Sequence, residues 1–217
     1  MDYIKSAFSG QGAIWMWLII LPLIAAIVLM IERSIFLLFR YNINAPQFWA
    51  QIQKLVMANN IDRAIKLCNA APAAALPRVL KAGLMRANKG EVEISNAIAE
   101  AQLDVVPMVT KRTSAMPPVA SIATLMGLLG TITGLILAFA ASKVASQEER
   151  STLLMQGIAV AMNTTAFGLI IAIPTLAVYL VLAGVTKKIL DEIEQYSSRL
   201  ENLLIARAHG QLGGPPQ

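Results

Sequence analysis

The sequence predicts an all-α integral membrane protein, with three transmembrane helices and long cytoplasmic helical extensions. Three observations carry this reading. Hydrophobic residues make up 56% of the 217-residue chain and charged residues only 14%, where a soluble domain carries about 25% charge. A chain this small cannot bury so much apolar surface within itself, so lipid must be part of its solvent; the mean hydropathy is +0.60. Three long stretches carry no charge, and the segments between them show helical spacing. An ordinary cytosolic enzyme, a disulfide-stapled secreted domain and a disordered chain are excluded.

The elements follow in order. Residues 1–12 carry only Asp2 and Lys5 and form the N-terminal extension. The first span is assigned to residues 13–39. Its uncharged part, Ala13 to Ile31, is interrupted only by Pro22 and approaches the roughly 20 apolar residues that a crossing requires. Glu32-Arg33 follows in place of a small-residue cleavage site, so the segment reads as a retained helix rather than a signal peptide. Trp15 and Trp17 read as interface anchors, and Glu32-Arg33 as a headgroup-level pair. Residues 40–112 form a helical loop. Asn59-Asn60 is placed to cap a helix carrying Ile61, Ala64, Ile65 and Cys68, which Pro72 interrupts. Arg78 to Asn88 and Ile94 to Val106 are further helical pieces.

The second span, residues 113–142, contains no ionisable group, and the third, residues 151–186, contains no Asp, Glu, Lys, Arg or His. As helices they would measure roughly 45 and 54 Å, more than the roughly 30 Å hydrocarbon core, so they should tilt or protrude. A turn, residues 143–150, joins them. Residues 187–210 continue as a helix in which Ile189, Ile193, Tyr196, Leu200 and Leu203 form a narrow apolar seam. It would pack on the chain's own loop or on another copy. Residues 211–217, with Gly213-Gly214-Pro215-Pro216, should be disordered.

Charge sets the orientation. Residues 32–112 carry eleven basic and six acidic side chains. Arg33, Arg40, Lys111, Arg112, Lys187 and Lys188 all flank span ends on one side, and basic residues favour the cytoplasm. The N-terminus and the 143–150 turn are therefore outside, and the loop and C-terminal helix inside. The net charge of +5 is mostly this topology signal, with anionic lipid as counter-charge. No basic cluster is interleaved with aromatics, so no nucleic-acid partner is expected. One cysteine, Cys68, and one histidine, His209, leave no zinc cluster.

A lipid-facing helix needs only aliphatic residues. These two spans instead hold Gly127, Gly130, Thr131, Thr133 and Gly134, then Gly157, Asn163, Thr164, Thr165, Gly168 and Pro174. Small residues let helices approach, and hydroxyls bond across the contact. Gly127, Gly130, Gly134, Gly168 and Pro174 are read as helix-packing residues. Asn163-Thr164-Thr165 cannot share one packing face, so some of them should line a polar path or meet a polar partner.

The runs Gly127-Leu-Leu-Gly-Thr-Ile-Thr-Gly134 and Gly157-Ile-Ala-Val-Ala-Met-Asn-Thr-Thr-Ala-Phe-Gly-Leu-Ile-Ile-Ala-Ile-Pro174 resemble the signature of the MotA/TolQ/ExbB proton-channel family. The resemblance is most specific over residues 121–180, and three spans with one long loop is its ExbB/TolQ layout. It implies a homo-oligomeric, pentameric ring in the bacterial inner membrane, periplasmic at the N-terminus and cytoplasmic at the C-terminus, with the second and third helices lining a pore. It implies a single-span partner like ExbD or TolR, in two copies, whose Asp carries protons past Thr131 and Thr165, with Thr164 and Asn163 on the same pathway. No cofactor is implied beyond coupling to H⁺, or to Na⁺. Two positions depart from the pattern: Val160 stands where ExbB and TolQ carry Glu, and Thr124 stands where a Pro is usual.

The residues alone reach part of this. Intramembrane charged groups are costly and usually functional, and spans two and three have no Asp, Glu, Lys, Arg or His. This chain cannot shuttle protons on its own side-chain acid, so a partner supplies it or there is no proton path. In the second case the chain is a structural membrane scaffold whose Gly/Thr faces only pack helices. An enzyme is not expected, because no His-Glu-x-x-His, Asp pair or Ser with a Lys or His lies at depth.

Overall fold

The computed structural model describes residues 13–41, 43–144 and 146–209. The expectations for residues 1–12 and for the 211–217 tail lie outside them. Every regular element among the described residues is helical: α1 (Ala13–Ile35) running into a π-helical turn (Phe36–Tyr41), α2 (Ala45–Met57), α3 (Ile61–Ala70), α4 (Ala75–Met85), α5 (Glu91–Thr110), a 3₁₀ turn (Thr113–Ala115), α6 (Met116–Val144) and α7 (Gln147–Ala208). Three helices are long and apolar enough to cross a membrane. The third span and the helix expected after it are one element, α7, because nothing between Thr186 and Lys187 stops a helix.

The chain divides into two compact units, one of Met1–Glu32 with Arg112–Val181 and one of Arg33–Lys111 with Leu182–Gln217. The first is held by Ile19, Ala26, Ala123 and Ile171, with Leu23, Met30, Val119, Met126 and Phe167 packed around them. Its outer surface is aliphatic: Leu21, Leu125, Ile136, Ile170 and Leu180 are all exposed. Such a surface is stable only against lipid or protein. Arg112 pairs with Glu32 at the edge of this unit. Half of a capping box starts α7: the backbone N–H of Ser146 donates to the Glu149 carboxylate, which also accepts from the Ser146 hydroxyl. These bonds hold the Glu149 carboxyl below its ordinary range.

The second unit follows the rules of a water-soluble bundle. Helices α2, α3, α4 and α5 each pack on the next, and the last part of α7 completes the core with Ile189, Ile193, Tyr196, Leu200 and Leu204. The expected seam thus closes on the chain's own loop, with Leu204 buried where Leu203 was expected. Trp49 and Tyr196 stack at 5.8 Å, and Gln102 donates to Ser197 Oγ at 2.6 Å.

The Asn59-Asn60 pair ends one helix more than it starts the next. Asn59 lies at φ +59°. Its N–H bonds Val56 O at 3.0 Å, and Asn60 N–H bonds Leu55 O at 2.8 Å. That is a Schellman stop with Asn in place of the usual Gly. Asn60 stands at the N-cap of α3 with no side-chain cap bond. The capping expectation is corrected accordingly.

Arg33 is buried inside the protein, 3% exposed, and its guanidinium is bonded to backbone rather than left to solvent. Its Nη2 donates to Val109 O at 2.9 Å. The last carbonyls of a helix have no partner within it and carry its negative dipole end. A buried guanidinium satisfies both demands at the end of α5. Glu32, paired with Arg112, is a separate interaction.

Two expected outcomes follow. Arg33→Met leaves the α5 carbonyls unsatisfied and should cost about 1–3 kcal/mol, whereas Arg112→Met removes a largely exposed pair worth about 0–1 kcal/mol; thermal midpoints in detergent check the contrast. The buried Cys68 thiol is pushed up to about 12 by desolvation, against a smaller opposing pull from Lys81. A raised thiol gives stability that is intact below the ordinary value of 9.0 and is lost as pH rises toward 12. Native protein should therefore resist maleimide at pH 8 and denatured protein should not, and wild type should lose stability faster than Cys68→Ala above pH 9.

Candidate functional site

Within the first unit, α6 and α7 meet along a seam of small residues. From α6 come Ala123, Gly127, Gly130, Gly134 and Ala138, at spacings of 4, 3, 4 and 4. From α7 come Gly168, Thr165, Thr164, Ala161 and Gly157 in the reverse order, so the helices run antiparallel. The backbones approach closer than side chains allow. A Cβ on Gly168 would lie 2.6 Å from Ala123 O, one on Gly127 3.0 Å from Thr164 O, and one on Gly130 2.7 Å from Thr164 Oγ1. A Cβ on Gly157 would collide with that of Ala138.

Close approach puts hydroxyls within reach of the facing backbone. Thr165 Oγ1 donates across the seam to Gly127 O at 3.1 Å. Thr164, 1% exposed, donates to Ala161 O at 2.7 Å, with Gly127 O at 3.4 Å. In this chain it serves the helix contact and presents no open surface. Thr131 donates to Leu128 O at 2.6 Å and Thr133 to Leu129 O at 2.9 Å. Thr131 and Thr165 are half-buried, Val160 is half-buried, and Asn163 is exposed. Pro174 lies on the exposed side of α7, away from the glycines. The buried Thr175 hydroxyl beside it donates to Ile171 O at 2.7 Å.

Each of these hydroxyls commits its one proton to a carbonyl and retains lone pairs that can accept. Thr131, Thr133 and Thr165 combine this state with access from outside the seam. Asn163 adds an amide that can donate and accept. None of these groups titrates in the physiological range, so the arrangement can solvate a proton donor but cannot store a proton. Among the described residues, no group of three His, Cys, Asp or Glu side chains is placed to hold a metal ion.

The sequence reading missed Ala123, Ala138 and Ala161, which complete the seam opposite the glycines. Their signal was available, since they continue the glycine spacing. Arg33 was named but its burial was not foreseen, because a charge beside a span end looks the same whether it is solvated or buried.

Residues 72–195 match the MotA/TolQ/ExbB proton channel family. This is more than half of the chain and takes in the whole seam. The chain belongs to that family. The biopolymer transport protein ExbB of Aquifex aeolicus (strain VF5) is 36% identical over 103 residues, covering 46% of this chain and 66% of that protein. The chain thus spans just under two thirds of that relative's length. For a proton channel family, a seam whose polar atoms are hydroxyls rather than acids is the feature that needs a functional account.

The seam predicts its own sensitivity. Gly168→Ala must displace the Ala123 backbone, and overpacking of this kind costs about 1–3 kcal/mol. Gly184→Ala, where a Cβ meets nothing within 4 Å, should leave the melting temperature in detergent unchanged or slightly raised.

Proposed function

We propose that this chain is the ring subunit of an inner-membrane motor driven by the proton motive force. A single-span partner resembling ExbD or TolR supplies the proton-carrying Asp. One observation carries the reading: a hydroxyl-bearing seam lies in two spans with no titratable side chain in residues 113–142 or 151–186 apart from the phenol of Tyr179. A proton path through a bilayer needs groups that titrate. This chain lacks a suitable acid, and Val160 stands where ExbB and TolQ carry Glu.

The seam hydroxyls respond differently to the two states of an incoming acid. A protonated carboxyl donates to a Thr oxygen whose own proton stays on its carbonyl. An ionised carboxylate needs a donor, so the hydroxyl must leave its carbonyl and turn. Exchanging such bonds involves about 1 kcal/mol each, against about 2.3 kcal/mol per proton per 100 mV. The gradient therefore exceeds the cost of switching. In this reading five copies form the ring, with α6 and α7 towards a pore holding two partner helices. The N-terminus is periplasmic and the basic loop cytoplasmic. The work is delivered across the periplasm as transport, envelope maintenance or gliding. H⁺ is the coupling ion, and a Na⁺-driven variant would use the same hydroxyls as ligands.

A scaffold role is the second reading. The bond of Thr165 to Gly127 O favours it, because it uses a hydroxyl for packing alone. The two readings separate by experiment. In the motor, Thr131→Val and Thr165→Ala should abolish the driven process while the complex keeps its native mass, and a protonophore should stop partner motion. Full activity in both variants, or indifference to the protonophore, would favour the scaffold.

A further inference from the structure

Within the second unit, a cleft of about 550 Å³ opens between the start of α2 and one turn of α7. Its polar lining is Asn44, Lys188 and Glu192, and its apolar wall includes Leu38, Ile43 and Pro46. The volume falls in the range of small-ligand sites, about 300–1,000 Å³. Lys188 Nζ and Glu192 Oε1 stand 3.8 Å apart, beyond hydrogen-bond length. The two form an i,i+4 ion pair without a direct hydrogen bond, so each keeps its hydrogen-bonding capacity for a ligand. Glu192 is the more enclosed, with 18% of its side chain exposed against 64% for Lys188. Asn44 Oδ1 is used by Gln47 N–H at 3.3 Å, which leaves its amide N–H₂ to donate.

We propose that this cleft binds a phosphate ester bearing a primary ammonium arm, the headgroup of phosphatidylethanolamine. The chemistry matches on both sides. Lys188 and the Asn44 amide, at the positive end of α2, receive the phosphate. Glu192 receives the ammonium with a charge-assisted hydrogen bond. A purely anionic headgroup would meet Glu192 with like charge, and a trimethylated one would offer it no N–H. Leu38, Ile43 and Pro46 give an apolar wall for the start of an acyl chain. Lys187 and Lys188 are the first charges after thirty-six residues without Asp, Glu, Lys, Arg or His, so the cleft lies at the charged end of the third span. This placement rests on the membrane reading above.

The test uses the full chain from membranes that have resisted carbonate extraction; release by carbonate would defeat the membrane reading instead. Native mass spectrometry in detergent measures retention of phosphatidylethanolamine against phosphatidylglycerol and phosphatidylcholine. The expected result is at least tenfold preference for phosphatidylethanolamine. Glu192→Gln should reduce that preference to near unity, and Lys188→Gln should weaken all three lipids. Both side chains lie on the surface of the helix, and an unchanged thermal midpoint confirms folding. Equal retention by wild type, or an undiminished preference in Glu192→Gln, overturns the proposal. Glycerophosphoethanolamine that displaces the lipid at low millimolar concentration would make the free headgroup the ligand and overturn the lipid assignment; failure to displace it supports the lipid.

Discussion

Two helices whose backbones touch at glycine set the terms for residues 112–181. In lipid no hydrophobic force drives helices together, because tails are as apolar as leucine. Contact must come from fit and from polar bonds. The glycines bring α6 close enough for Thr165 to reach Gly127 O at 3.1 Å. Any bulk at those positions would break both the fit and the bond. The large aliphatics are displaced to the other sides of the helices, so Leu125, Ile136 and Ile170 face outward. One constraint therefore yields an inner line of small polar groups and an outer coat of hydrocarbon.

The second unit answers to water. Helices α2, α3 and α4 are short and amphipathic, α2 ends in an explicit stop, and the core is built from ordinary aliphatic and aromatic packing around Trp49 and Tyr196. Arg33 belongs to this logic, since a guanidinium ending α5 replaces the water that would otherwise satisfy Val109 O. The same chain thus uses two grammars, and the change between them falls beside charged residues at 32–33 and 111–112.

Much of the architecture was legible in the sequence. The uncharged stretches marked the long helices because length and charge decide what lipid accepts. The glycine and threonine runs marked the seam because few other residues fit a close approach. Side-chain commitment was not legible. Thr164 and Thr165 are adjacent and chemically alike, yet one is sealed in the contact and the other half open, a difference set by a 100° turn of the helix. The fate of Arg33 was hidden for another reason: its partner, Val109, lies seventy-six positions away. The Leu203-to-Leu204 shift reflects a straight helix of 3.6 residues per turn drifting from a 3.5-residue seam.

The left-handed turn at Asn59 carries a consequence of its own. Glycine would relax that backbone, and most other residues would strain it. Yet Asn59 Oδ1 also receives Arg207 Nη2 at 2.6 Å, which ties the far end of α7 to the α2–α3 corner. Asparagine, and to a lesser degree aspartate, meets both demands at once. The corner is therefore a double-duty joint whose side chain is as constrained as its backbone, although it lies on the surface, where substitutions are usually tolerated.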